Sequence, residues 1–277
     1  MKPNLAKLAR YPAPLRLGIF LLSLLLVWLP VAAPIYLLGR DPNVVTILTM
    51  GLLFGEFLLL LQFFWGKRVH QQPQLLKRYG LAGTRQNGLN LLKGLSIGLL
   101  FTFSLFALEG LLGWVKFQTP QTVLPRIILE GLVSAIGIAL AEELVFRGWL
   151  LDELQRDYSQ RTSLWADAII FAVSHFLKPL GEMIRTFPAF PGLLLLGLTL
   201  VWAKRSSGEL LGLPIGIHAG LVWGYYILNV GKLVQYSDRV SPWITGVDGN
   251  PIAGVMGLLF LGVLAVWMRK RSPAYPN

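Results

Sequence analysis

Apolar residues run along the chain in blocks, over 15–39, 43–65, 91–115, 126–150, 163–178, 189–203, 209–230 and 252–268. A helix needs about 20 such residues to cross a bilayer core. The pattern therefore predicts an all-α polytopic membrane protein with about eight transmembrane helices. The first block follows Lys2, Lys7, Arg10 and Arg16 and exceeds the roughly 7–15 residues of a signal-peptide core, so it reads as a retained anchor. The fifth and sixth blocks are short, and the stretch from Lys178 to Pro191 between them carries three prolines, which suits a re-entrant or tilted pair. Segment 66–90, with His70, Gln71 and Gln72, is the main polar loop and is expected on the cytoplasmic side. Residues 1–277 read as a single integral membrane domain.

Composition agrees with the pattern. Of 277 residues, 54% are hydrophobic and 14% charged, and the mean hydropathy of +0.59 excludes an ordinary soluble domain. The absence of Cys removes disulfides, thiolate nucleophiles and cysteine metal sites. A net charge of +11 could suggest nucleic acid, but the basic residues flank apolar blocks, and topology explains them better. In the eight-span arrangement 18 Lys and Arg fall on the side of the N-terminus and 7 on the other, which predicts cytoplasmic N- and C-termini. Short loops make a bacterial-type plasma membrane the working expectation. The partners implied are membrane lipid and a substrate that reaches the membrane, with no nucleic acid.

Ionisable groups inside spans are costly, and each is a functional candidate until a partner explains it. They are Glu56, Glu109, Glu130, Glu142, Glu143, Arg147, Asp167, His175 and His218. Glu109 and Glu130 lie near span ends and read as interfacial or paired groups, and Glu56 as a buried packing group. Ala141-Glu142-Glu143-Leu144-Val145-Phe146-Arg147 is different. The spacing puts Glu143 and Arg147 on one helix face, while Glu142, rotated by about 100°, faces elsewhere. Two of the chain's three histidines, His175 and His218, also fall within spans. At 1.5 Å per residue, Glu142, His175 and His218 lie about 12, 18 and 15 Å from the ends of their blocks, so all three can meet at one level. The glycine-rich run from Gly208 to Gly220 is weighed as close helix packing above a direct chemical role. Trp149, Trp165, Trp202, Trp243 and Trp267 read as interfacial anchors.

Such a set can activate water in two ways. Without a metal, Glu142 is the general base for a water that His175 also holds, and His218 donates to the oxyanion. With a divalent ion such as zinc, His175, His218 and one of Glu142 and Glu143 are ligands and the other glutamate is the base. The residues alone do not choose between the two. Ser134 and Ser174 lack a Gly-x-Ser-x-Gly elbow, and no His-Glu-x-x-His helix is present.

The elements Glu142-Glu143-x-x-x-Arg147, Phe171-x-x-x-His175 and a later His218 resemble the CPBP family, the CAAX prenyl endopeptidases and bacteriocin-processing proteins also called Abi proteins. The resemblance spans roughly 125–230. It implies an eight-helix intramembrane endopeptidase whose polar chamber opens to the cytosol and whose substrates are peptides or proteins, prenylated or leader-bearing. It further implies that Glu142 and His175 activate water, that His218 helps form the oxyanion site, that Glu143 and Arg147 orient the first element, and that Phe171 lines the chamber. One departure stands out: the family's last element is usually His-x-x-x-Asn or His-x-x-x-Asp, and residue 222 is Val. Tyr225 and Asn229 are about 10 and 16 Å further along the helix than His218. Two other functions fit the same residues, a proton- or ion-coupled transporter and a non-catalytic relative that binds membrane partners.

Overall fold

The computed structural model describes residues 5–120 and 123–273; Lys2 of the basic N-terminal cluster lies outside them. The chain forms α1 (Ala13–Leu38), α2 (Pro42–Val69), α3 (Arg85–Leu111), α4 (Leu124–Gln155), α5 (Gln160–Ser174), α6 (Leu180–Ser206), α7 (Gly212–Asn229) and α8 (Val255–Arg271). Six of these, α1 to α4, α6 and α7, are long and apolar enough to cross a membrane. The other two, α5 with 15 residues and α8 with 17, are shorter. At 1.5 Å per residue α5 covers about 22 Å, less than the hydrocarbon core. The eight apolar blocks thus become six full-length helices and two short ones.

Local signals set the boundaries. Asp41 caps α2 by accepting from the Asn43 and Val44 amides, Thr84 caps α3 and Ser159 caps α5, each satisfying an amide that the first helical turn leaves unpaired. α2 runs on to Val69 and α3 begins at Arg85, so the connection between them is shorter than the polar pattern suggested and holds one brief helix, Leu75–Arg78. The three prolines between Lys178 and Pro191 fall around the start of α6 and at its 3-10 turn, Phe187–Ala189.

The contacts divide the chain into two compact units. One runs to Arg78 and includes Glu153–Asp157; the other comprises Tyr79–Asp152 and the chain from Tyr158 onward. In the first, Phe20 packs edge-on against Phe57 and Trp65, with ring centroids 5.6 and 5.1 Å apart. Its polar centre is Glu153. Arg16 Nε donates to Glu153 Oε2 at 2.7 Å, Trp65 Nε1 donates to Oε1 at 2.8 Å, and His70 Nε2 lies 2.6 Å from Oε1. His70, expected in an open polar loop, therefore has a side chain only 1% exposed.

The second unit is organised by α3 against α7. Gly94 and Gly98 of α3 face Gly216 and Gly220 of α7, and the two backbones touch. A Cβ on Gly98 would collide with the Ile217 carbonyl, and one on Gly216 with the Leu91 carbonyl. Small residues allow this approach between membrane helices, the packing role read from the glycine-rich run. Asn87 Oδ1 accepts the Gly212 amide at 2.7 Å, tying the start of α7 to α3. Beyond the other ends of these helices, β1 (Val115–Phe117) and β2 (Val234–Tyr236) pair antiparallel, with Val115 opposite Tyr236. Trp149, expected at an interface, is 3% exposed and packs inside the protein.

Replacing Gly216 with Val should lower stability by about 1–3 kcal/mol, the usual cost of overpacking, seen as a lower thermal midpoint in detergent. Gly137→Ala, where an added Cβ meets nothing within 4 Å, should leave the midpoint nearly unchanged.

Candidate active site

Three helices supply the side chains. α4 contributes Glu142, Glu143 and Arg147, and its pitch widens to that of a π-helix over Leu144–Leu150, directly after the two glutamates. Such widenings are frequent at functional sites. α5 contributes Asp167, Phe171 and His175, spaced by four residues and so on one face. His175 is the C-cap of α5, and its Nδ1 lies 2.8 Å from the Phe171 carbonyl. α7 contributes His218 from the helix that the glycines hold against α3.

Glu143, Arg147 and Asp167 have fully buried side chains. Arg147 Nη1 donates to Glu143 Oε1 at 3.1 Å, and Nη2 donates to the Gly197 carbonyl at 3.1 Å. Its Nε is 3.5 Å from Asp167 Oδ2, and its guanidinium lies 4.2 Å from the centre of the Phe171 ring. Lys204, 4% exposed, donates to the Arg147 carbonyl at 2.6 Å. Two buried carboxylates and two buried cations are therefore clustered, with the Glu143–Arg147 pair hydrogen-bonded and Asp167 meeting Arg147 by charge alone, which offsets part of the desolvation cost.

Next to this network are the groups able to react. A carbonyl oxygen can only accept, so His175 Nδ1 donates to Phe171 and its Nε2 points the other way. His218 Nδ1 lies 2.9 Å from Glu143 Oε1. Arg147 donates to that same oxygen, so His218 Nδ1 also donates. Both Nε2 atoms then turn to Glu142: His175 Nε2 is 3.8 Å and His218 Nε2 4.0 Å from Glu142 Oε2. That oxygen is buried and has no hydrogen-bond partner among the described residues. The separations exceed direct hydrogen bonds and match the span of a group that bridges three polar atoms.

A metal fits this arrangement poorly. Among the described residues no group of three or more His, Cys, Asp and Glu side chains could hold a metal ion. The Nδ1 hydrogen bonds orient both Nε2 atoms for a metal as well as for a water, but the donors are not drawn into the shell of about 2.0–2.2 Å that zinc requires.

Phe171, which the resemblance has lining the chamber, is 0% exposed. Its ring stands 4.7 Å from that of His175 and 6.4 Å from that of His218, a wall behind both imidazoles. Glu130 accepts from Arg126 at 2.7 Å on an exposed surface. Glu109 is 0% exposed, and neither of its oxygens has a hydrogen-bond partner among the described residues. Glu56 is half-buried and belongs to the first unit. Ser174 donates to the Phe171 carbonyl at 2.8 Å. Asp167 was named among the ionisable span residues but given no role from sequence, and Lys204 was not singled out. Asp167 was legible as one and two turns before Phe171 and His175; Lys204, one of two basic residues ending α6, carries no comparable signal.

Beside His218 an apolar cavity with about 780 Å³ of empty space, open solvent included, is lined by Phe101, Leu105, Leu196, Val222 and Phe260. Val222 thus faces the same space as His218. Tyr225 also lines it, but its hydroxyl donates to the Gly249 carbonyl at 3.1 Å and accepts from Asn229 at 3.0 Å. Neither polar residue stands in for a donor at position 222.

Arg147→Met would leave Glu143 and Asp167 buried without their cation. It should cost about 3–5 kcal/mol, read by denaturant unfolding of the purified protein, and Asp167→Asn should cost less.

Residues 124–224 match the family model described as Type II CAAX prenyl endopeptidase Rce1-like. No curated protein and no solved structure matches the chain. The matched segment holds Glu142, Glu143, Arg147, Asp167, Phe171, His175 and His218, the residues that the fold gathers. Over that segment, somewhat more than a third of the chain, the match supports a CPBP family intramembrane protease.

Proposed function

We propose that this protein hydrolyses peptide bonds within the membrane with a water activated by Glu142. The observation that carries this reading is the convergence of the His175 and His218 Nε2 atoms on the unpartnered Glu142 Oε2. Glu142 takes one proton from the water, which His175 orients, and the hydroxide adds to the scissile carbonyl carbon. His218, as the imidazolium, donates through Nδ1 to Glu143 and through Nε2 to the oxyanion of the tetrahedral intermediate. The carbon–nitrogen bond then breaks, and the proton held by Glu142 passes to the departing amine. Glu143 and Arg147 position His218, and Phe171 fixes the two imidazoles; none of the three touches the reacting atoms.

The substrate is a peptide whose apolar part enters the cavity beside His218. A prenyl chain and the apolar stretch of a leader peptide both suit it. The excess of Lys and Arg on one side supports cytoplasmic termini, and the short connections support a bacterial-type plasma membrane. Val222 favours one second reading, a relative that binds such substrates without cutting them, because the loss of one oxyanion donor costs about 2.7–4 kcal/mol of barrier.

The test is cleavage of a farnesylated CAAX peptide and a panel of leader peptides by the purified protein. Glu142→Gln and His175→Gln should each reduce cleavage by about 10²–10⁴-fold with an unchanged thermal midpoint; full activity in both variants would refute the proposal. Val222→Asn should raise kcat by about tenfold or more by supplying a donor. Cleavage should also persist in a chelator, and its loss would put a metal at the site.

A further inference from the structure

A second cavity, sharing no residue with the reaction site, lies where α6 and α8 end beside α3 and α7. It has about 420 Å³ of empty space, open solvent included, and its polar lining is Asn90, Lys93, Ser206, Ser207 and Arg271 over an apolar floor that includes Met268. No carboxylate lines it. Lys93 and Arg271 are exposed cations at its rim, and the Arg271 guanidinium is held 5.3 Å from the centre of the Trp267 ring.

The helix ends would normally oppose an anion here, because the last carbonyls of a helix carry partial negative charge. In this cavity they are already covered. Ser206 Oγ donates to the Ala203 carbonyl and Ser207 Oγ to the Lys204 carbonyl, both at 2.9 Å, and the Ser272 amide donates to the Met268 carbonyl at 3.0 Å. The remaining donor is buried. Asn90 is 8% exposed, and its Oδ1 accepts from Gln86 at 3.1 Å. Its Nδ2 has no hydrogen-bond partner among the described residues. An amide donor fixed at its oxygen end, two cations and no competing acid form a site for tetrahedral oxygens.

We infer that this cavity seats one phosphate group, of the kind carried by an anionic lipid headgroup or present as free phosphate. Asn90 Nδ2 donates to one oxygen, Lys93 and Arg271 neutralise the charge, and the apolar floor accommodates what the phosphate is attached to. The inference does not depend on the proteolytic reading, since neither cation nor Asn90 contributes to the reaction site.

The experiment uses the full chain in phosphatidylcholine nanodiscs, with phosphatidylglycerol or inorganic phosphate added and retained adducts counted by native mass spectrometry. Lys93→Gln/Arg271→Gln should lower retention by about tenfold or more, and Asn90→Asp, nearly equal in volume, should do the same. Lys67→Gln/Arg68→Gln removes the same charge from α2 and should leave retention unchanged. Retention of phosphatidylglycerol alone identifies a lipid site, and retention of inorganic phosphate as well identifies a site for the bare group. Failure of wild type to retain either probe overturns the inference. So does wild-type retention in the folded Lys93/Arg271 or Asn90 variants, or an equal loss in the Lys67/Arg68 control.

Discussion

Four glycines bring α3 and α7 into backbone contact, and the position of His218 follows from that contact. Between membrane helices there is little hydrophobic driving force, since lipid is as apolar as leucine, so close packing of small residues does much of the holding. Gly216 and Gly220 flank His218 and press against the Leu91 and Leu95 carbonyls. The helix so placed sets the imidazole against Glu143 of α4 and the Phe171 ring of α5. The Asn87–Gly212 hydrogen bond at one end and the β1–β2 pairing at the other hold the connections of the same two helices.

Charge placement does the rest. Arg147 is the centre of the buried network, meeting Glu143, Asp167 and the Gly197 carbonyl. Its effect reaches the proposed reacting groups through hydrogen bonds: it donates to the Glu143 carboxylate, that carboxylate accepts from His218 Nδ1, and the Nε2 face is left for Glu142. The Phe171 carbonyl does the same for His175. Two glutamates adjacent in sequence acquire different environments, Glu143 fully buried against Arg147 and His218, Glu142 partly exposed with its Oε2 turned to both imidazoles. The first unit uses the same device for stability, with Glu153 meeting Arg16, Trp65 and His70.

Much of this was legible in the residues. Block length predicts membrane helices, and four-residue spacing predicts the Glu143–Arg147 pair. The shared depth of Glu142, His175 and His218 corresponds to the three side chains that the fold brings together. What could not be read belongs to long-range geometry. The widened turn over Leu144–Leu150 has no signal in the four-residue spacing of the sequence. The pairing of Asp167 with Arg147 joins two helices, and the burial of His70 and Trp149 reflects protein neighbours that a hydropathy pattern cannot tell from lipid. The shortness of α5 is another case, because apolar residues continue past Ser174 while the backbone turns at His175.

The central claim is that water attacks the substrate directly while Glu142 only moves protons. The most direct test is a single turnover in water enriched in oxygen-18, followed by mass analysis of both the product and the Glu142-containing peptide. Direct attack predicts one labelled oxygen in the new carboxylate of the product and none in Glu142. Label in the Glu142 carboxyl group, with an unlabelled product, would mean that the glutamate itself had bonded to the substrate and would contradict the account.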